Sequence, residues 1–300
     1  MSTLLALVKR NVKLYFKDKG MFFTSLITPA ILLILYTTFL NNVYRDSFVT
    51  NLPAGLVLPE KLLNGLVGGQ LISSILAVSC VTVAFCSNFL MVQDKTTGSI
   101  NDLRISPVKP SVLSLGYYVA TLISTSIICL LALGFCLGYL ALVGWYLTVA
   151  DVACLVLDVF LLVLFGTALS SVINFFLSTQ GQISAVGTVI SSCYGFICGA
   201  YMPISTFSKG LQRVICFLPG TYGTALMRNH AMGSALAQME KQGISQQLME
   251  GFRDGLDCNL YFFDKAVSVP AMYWVLSISI AVLVVAYVAI NIFRGKSARG

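Results

Sequence analysis

Charged residues are scarce in this sequence, and their scarcity indicates its class. Only 10% of the 300 residues are charged, whereas 57% are hydrophobic. Soluble globular chains carry about 25% charged residues, so this composition does not supply enough polar side chains to cover a surface in water. The composition predicts an integral membrane protein and excludes both a cytosolic enzyme and a module that binds nucleic acid.

The sequence also lacks the residue sets on which hydrolytic and metal sites depend. His230 is the single histidine, which excludes a zinc site of the HExxH type, and the nine cysteines include no CxxC pair. We therefore predict no catalytic, cofactor or metal site, and we interpret His230 as an exposed residue of an external cap. Most cysteines fall within apolar stretches, while Cys216 and Cys258 lie outside them, where a disulfide is one possibility.

A complete nucleotide-binding loop is missing as well. Arg294 to Ser297 resembles the end of a P-loop, but Ile290 stands where the first glycine belongs. The string also follows an apolar run that predicts a membrane helix instead of a strand. We interpret it as a positively charged stop after the last span, and expect no ATP binding by this chain alone.

What the sequence has is long stretches without charge. A helix that crosses the hydrocarbon core needs about 20 apolar residues. The gap between Asp158 and Lys209 is long enough for more than one helix and is broken by a polar turn at residues 177–182. Six transmembrane helices are therefore predicted, five of them within residues 21–200 and the sixth at 266–293. The gaps that carry this count are Lys19–Arg45, Lys61–Asp94, Lys109–Asp151, Asp158–Lys209 and Lys265–Arg294.

The basic residues near the span ends predict the orientation. Lys and Arg concentrate on the cytoplasmic side of membrane proteins. One side holds only Arg45 and Lys61 in its short loops, so the other side, which includes both chain ends, is predicted to be cytoplasmic. The membrane is predicted to be the plasma membrane. The other side holds Lys9, Arg10, Lys13, Lys17, Lys19, Lys95, Arg104, Lys109, Arg294, Lys296 and Arg299.

Three segments outside the spans have distinct patterns. Residues 1–20 place lysines on one helical stripe and apolar residues on another, which predicts an amphipathic interfacial helix, a docking surface for a cytoplasmic partner, or both. Residues 203–228 hold two short apolar pieces separated by Pro and Gly, which predict re-entrant helices on the outer side. Residues 229–265 are polar and predict a small external helical cap. The two stripes of the first segment are Lys9, Lys13 and Lys17, and Leu4, Val8, Val12, Tyr15 and Phe16.

Polar and small residues inside the spans give further candidates. Asp158 is an acid within the fourth span, and it is expected to face a partner or water because an isolated charge there is costly. A structural role, a place along a transport pathway and a proton-coupled function remain alternatives. The pairs Gly134/Gly138 and Gly195/Gly199 have the small-xxx-small spacing of close helix contacts.

The order of these elements, with three loose motifs, resembles the membrane subunits of ABC-2-type ABC transporters, a family that includes drug and polysaccharide exporters. The motifs are D-K-x-x-G-S-(x)₃-L-R-x-S-P from Asp94 to Pro107, G-x-Y-M-P-I-S from Gly199 to Ser205, and L-P-G-T-Y from Leu218 to Tyr222 with a trailing Arg228. The family often opens the first motif with Glu, where this chain has Gln93 and then Asp94.

The resemblance implies a single transmembrane domain over residues 1–300 and a role for two groups of residues. The loop before span three would be a coupling helix seated on a separate ATPase, with the N-terminal helix as a second contact. The segment after span five would close the outer end of the pathway. The implied coupling residues are Asp94, Lys95, Gly98, Asp102, Leu103, Arg104 and Pro107; the implied outer gate residues are Met202, Pro203, Phe207, Leu218, Pro219, Tyr222 and Arg228.

The resemblance also implies the partners and the activity. They are two copies of a cytoplasmic ABC ATPase, which would bind ATP and Mg, a second permease subunit in a homo- or heterodimer, and the lipid bilayer. The chain would export a hydrophobic or amphiphilic cargo such as a drug, lipid or peptide by alternating access. A polysaccharide or glycolipid cargo and a proton-coupled carrier acting through Asp158 are the alternatives. A lipid-modifying enzyme is disfavoured by the single histidine.

Overall fold

A computed structural model describes residues 2–50, 58–106, 108–242, 244 and 246–297. The predicted coupling residue Pro107 and the side chain of Arg104 lie outside the described part. The helices are α1 (Ser2–Lys17), α2 (Lys19–Leu35), α3 (Asn41–Thr50), α4 (Glu60–Thr96), α5 (Ser99–Ile105), α6 (Pro110–Val143), α7 (Val149–Phe176), α8 (Gln180–Ile197), α9 (Lys209–Ile215), α10 (Pro219–Glu240), α11 (Gln246–Gly255) and α12 (Val269–Ser297). A π-turn at Tyr36–Leu40 joins α2 to α3, Ile204–Thr206 forms a 3₁₀ turn, and β1 (Leu260–Phe262) pairs antiparallel with β2 (Lys265–Val267).

Within the described residues, five helices are long and apolar enough to cross a membrane: Lys19–Phe39, α4, α6, α7 and the part of α12 up to Ile292. These match predicted spans one to four and six. The predicted fifth span coincides with α8, whose 18 residues include glutamine, serine and threonine and are less apolar. The chain is therefore an all-α multi-pass membrane protein.

The helix α4 forms the centre of the bundle. It packs against α2, α6, α7, α8 and α10, and its side chains are buried along nearly its whole length. Its 37 residues correspond to about 55 Å at 1.5 Å per residue, well beyond the roughly 30 Å of a hydrocarbon core. Each end of α4 therefore extends past the apolar layer. We call the two ends of the bundle the Glu60 end and the Thr96 end, after the first and last residues of α4.

Close packing around α4 depends on glycines other than those predicted. A Cβ on Gly69 would lie 2.7 Å from Met232 Cγ, and one on Gly166 of α7 would lie 2.9 Å from the Cys80 carbonyl oxygen. By contrast, no described atom lies within 4 Å of a Cβ placed on Gly134 or Gly138. The predicted pair on α6 thus makes no close helix contact within this chain, because it lies on the outward side of the helix.

The second predicted glycine pair forms a helix end instead of a helix contact. Gly199 has a φ of +73°, the Gly199 N–H donates to Phe196 O, and the Ala200 N–H donates to Gly195 O. These two bonds are the Schellman arrangement that ends a helix at a left-handed glycine. A Cβ on Gly195 would collide with the ring of Tyr201, which folds back over the turn.

The region predicted as re-entrant pieces followed by a cap is organised differently. The helix α10 runs without a break across the expected boundary between residues 228 and 229, and it packs against α4, α7 and α12. The cap beyond it contains α11 and the β1–β2 hairpin, although only helix was expected. Cys216 and Cys258 carry free thiols in the described structure, and Cys216 Sγ lies 3.1 Å from Tyr261 O.

Candidate functional site

The predicted coupling segment lies at the Thr96 end, where α4 stops and α5 begins. Gly98 precedes α5 with a φ of +81°, a conformation that glycine adopts without the steric cost of a Cβ. The chain turns sharply there, so α5 folds back beside the last turns of α4. Ile100 is buried with Leu7 of α1, Met91 of α4, and Leu113 and Tyr117 of α6, and Leu103 packs on the edge of this cluster.

Asp94 joins three helices at this end. Its carboxylate accepts hydrogen bonds from Arg10 Nη1 at 2.8 Å and Nη2 at 3.3 Å, and from the Tyr117 hydroxyl at 2.5 Å. The hydrogen bond to Asp94 raises the pKa of Arg10 above its usual value. A two-pronged bond of this kind fixes geometry as well as charge. Asp94 is therefore an internal link between α1, α4 and α6, and its carboxylate is buried.

Lys95 joins α4 to the end of α7. Its ammonium donates to the carbonyl oxygens of Asn174, Phe175 and Leu177, at 3.1, 2.7 and 2.9 Å. The last carbonyls of a helix have no intrahelical donor, and a cation there also complements the helix dipole. Lys95 therefore caps α7, and a displacement of this end of α4 would be transmitted directly to α7.

The outward side of α5 is available to a partner. Asn101 and Asp102 are exposed, and the Ile105 side chain is 86% exposed. Asp102 is one of the predicted coupling residues, whereas Ile105 was not predicted. The spacing does indicate its exposure, because Ile105 does not lie on the helical face that Ile100 and Leu103 share. An exposed isoleucine beside polar residues is typical of a contact surface.

In the half of the bundle nearer the Glu60 end, Arg228 is the centre of a buried polar cluster. It is 1% exposed, and its guanidinium donates to Asp257 at 3.0 Å, to Ser74 at 3.4 Å and to the Gly199 carbonyl. Asp257 also accepts the Ile204 N–H at 2.8 Å. The cluster ties α10 and α4 to the Schellman turn and to the loop after α11. Breaking a buried ion pair by removing one partner costs about 3–5 kcal/mol, so Arg228 has a strong structural role.

The other predicted outer gate residues are spread around this cluster. Tyr222 is buried and donates to Cys216 O at 2.6 Å, and Pro219 occupies the first turn of α10, where its missing N–H has no cost. Leu218 is exposed, whereas Met202, Pro203 and Phe207 are partly buried along the loop that includes the 3₁₀ turn. These residues therefore lie along the connection between α8 and α10 and the first half of α10, and Tyr222 and Arg228 are the buried members.

Asp158 is fully buried and has two side-chain partners. Its Oδ2 lies 2.6 Å from His230 Nδ1, and its Oδ1 accepts the Tyr273 hydroxyl at 2.7 Å. The expectation that His230 is an exposed cap residue is wrong, because the ring lies between α10, α7 and α12 and is 16% exposed. Sequence reasoning missed this contact since nothing local links residues 158, 230 and 273.

Comparison with known proteins supplies the family. The profile described as ABC-2 type transporter matches residues 2–231, which include the coupling segment, Asp158 and Arg228. The chain belongs to the ABC-2 type transporter family. No curated protein matches it significantly. The family assignment makes this chain a membrane component of an ABC transporter, and it favours that hypothesis over a proton-coupled carrier that acts alone.

Proposed function

We propose that this chain is one of two membrane subunits of an ATP-driven exporter, and that α5 receives motion from a separate cytoplasmic ABC ATPase. One observation carries the proposal: α5 packs through Ile100 onto α1, α4 and α6 on one side and exposes Asn101, Asp102 and Ile105 on the other. A push on this short helix reaches α1 and α6 through the Ile100 cluster, and it reaches α7 through the last turn of α4, where Lys95 binds the end of α7.

We propose that the chain lies in the plasma membrane. In the proposed orientation, the Thr96 end and both chain ends face the cytoplasm. Lys9, Lys13 and Lys17 of α1 are exposed, while Leu7 and Tyr15 are buried against the bundle. The positive-inside tendency supports this orientation, and it leaves the lysines free to meet anionic headgroups at the membrane surface. The helix α1 would then lie at the interface beside the ATPase.

We infer that α8 completes the set of six spans and faces the second subunit across the transport pathway. Its outward side mixes Ser184, Thr188 and Ser192 with Val189 and Phe196. The hydroxyl groups of Ser184 and Thr188 are bonded to carbonyls of the preceding turn, which makes a span of this polarity tolerable in lipid. A mixed surface of this kind fits an amphiphilic cargo better than a strongly polar one.

The test is capture of the ATPase by variants of α5. The changes Asp102→Lys and Ile105→Glu are expected to reduce co-purification of an ABC ATPase from native membranes by at least about tenfold, equivalent to about 1.4 kcal/mol of binding free energy. Their melting temperatures in detergent should match that of the unmodified chain, because both side chains are exposed. The control is Asp264→Lys, an exposed acid at the opposite end. Full ATPase recovery with both α5 variants would refute the coupling role.

A further inference from the structure

A second polar cluster, around Asp158 and His230, joins α10 to α7 by two side-chain contacts. His230 meets Asp158, and one helical turn later the Ser234 hydroxyl donates to Asp151, seven residues before Asp158 on the same face of α7. His230 and Ser234 are four residues apart and lie on one face of α10, and Asp151 and Asp158 are seven apart and lie on one face of α7. The two contacts therefore fix the register of these antiparallel helices. Tyr273 adds α12 to the same carboxylate.

The contact differs from an ordinary buried pair because one partner is a histidine, the side chain whose ordinary pKa lies closest to physiological pH. Burial by itself lowers the pKa of His230, but the hydrogen bond and charge of Asp158, with a smaller effect of Asp151, raise it above the ordinary value of 6.5. A raised pKa means that the contact stabilises the fold fully at low pH. That contribution is lost as the pH rises through the pKa of the folded state.

The groups that face His230 are few. They are Asp158 and Asp151 from α7 and Tyr273 from α12. The charged residues of α4, which also packs against α10, stand only in its first and last turns. The cluster therefore brings one histidine together with two carboxylates and a phenol, groups that can share or exchange a proton.

We propose that Asp158, His230 and Tyr273 form a proton-controlled latch that fastens α10 to α7 and α12 while His230 is charged and loosens it when His230 is neutral. Asp158 acts as a positioning residue, since it holds both other side chains. The helix α10 also carries Arg228 and follows the loop of predicted gate residues, so the latch sets how firmly that segment is held. That the latch senses external pH, and not cytoplasmic pH, rests on the proposed orientation.

The first experiment measures His230 directly. Because it is the only histidine in the sequence, histidine labelled with ¹³C and ¹⁵N gives one NMR signal in the full chain, purified in nanodiscs without a histidine tag. The titration should give a pKa above 6.5, lower by at least about one unit in Asp158→Asn. It should be higher still in Tyr273→Phe, because Asp158 then shares its charge with one partner fewer. An unshifted pKa, or one that Asp158→Asn leaves unchanged, would overturn the latch.

The second experiment asks whether protonation fastens α10. Hydrogen exchange of α10 amides is compared between the unmodified chain and His230→Asn at each pH, which cancels the intrinsic pH dependence of exchange. The unmodified chain should show roughly tenfold greater protection at a pH below the pKa and equal protection above it. Tyr261→Phe is the matched control, because it removes an exposed hydroxyl bonded to Asp254.

If the difference in α10 exchange between the unmodified chain and His230→Asn does not change with pH, the cluster contributes only packing and the proposal is refuted. If His230→Asn does not fold, Tyr273→Phe replaces it, and its protection should be lost at a higher pH than in the unmodified chain. Neither experiment depends on transport or on an ATPase. The latch and the export function therefore stand or fall separately.

Discussion

At the scale of single residues, the charged side chains of the coupling segment work inside the molecule. The sequence motif presents Asp94, Lys95 and Asp102 as equivalent members of one polar loop. In the structure Asp94 binds Arg10 and Tyr117, Lys95 caps α7, and only Asp102 has an exposed carboxylate. The first two therefore keep the helix ends together, while the third can bind a partner.

Lys95→Met is the sharpest test of the cap. Methionine preserves most of the aliphatic stem but leaves three carbonyl oxygens at the end of α7 without their donor. We expect a loss of about 1–3 kcal/mol in the free energy of unfolding and faster hydrogen exchange in the last turn of α7. Lys61→Met, at an exposed lysine near the start of α4, serves as control. Equal stability of the two variants would contradict the cap.

At the scale of the elements, glycines decide how closely the helices approach. A Cβ on Gly166 would lie 2.9 Å from Cys80 O and 3.0 Å from Val81 Cα, both backbone atoms of α4 that cannot move aside. Gly134 is also a glycine within a long apolar helix, yet no described atom lies within 4 Å of a Cβ placed on it. Spacing along one helix therefore does not identify the contact, because the opposing surface decides it.

Gly166→Ala is expected to destabilise the bundle by about 1–3 kcal/mol through overpacking between α7 and α4. Gly134→Ala should leave the stability of a single subunit unchanged or raise it, since alanine is the better helix former by about 1 kcal/mol. Melting temperatures in detergent compare the two. If Gly134→Ala weakens association of two copies without lowering the melting temperature, the outward face of α6 is part of the subunit interface.

At the scale of the whole molecule, the bundle has two ends with separate tasks. The Thr96 end gathers α1, α5, the start of α6 and the end of α7, whereas the half nearer Glu60 holds the Arg228 cluster and the latch. The helix α4 connects them as one continuous rod. A displacement received at α5 can therefore reach the opposite end through a single element.

Labelling with a membrane-impermeant maleimide checks the orientation of the ends. Cysteines introduced at Asp102 and Asp264, both exposed, are compared in a Cys193→Ser background, because Cys193 is the exposed one among the native cysteines. We expect labelling at position 264 in intact cells and at position 102 only after permeabilisation. The reverse pattern would invert the topology, and with it the assignment of the ATPase side.

The sequence by itself determined the class of the protein and the limits of its long helices. The predicted gap from Lys61 to Asp94 corresponds to α4, and the polar turn at 177–182 separates α7 from α8 as expected. These features are local, because the length of an apolar run decides whether it can cross a bilayer. The resemblance in motif order to the ABC-2 family was likewise confirmed.

Only the tertiary structure decided which polar groups meet. Arg10 and Asp94 are 84 positions apart, and His230 and Asp158 are 72 apart. A buried charge in a membrane bundle requires a partner, but the sequence alone does not indicate which residue that partner is. The folded helices bring distant faces together, and that juxtaposition turned a presumed cap histidine into part of the core and exposed loop charges into internal links.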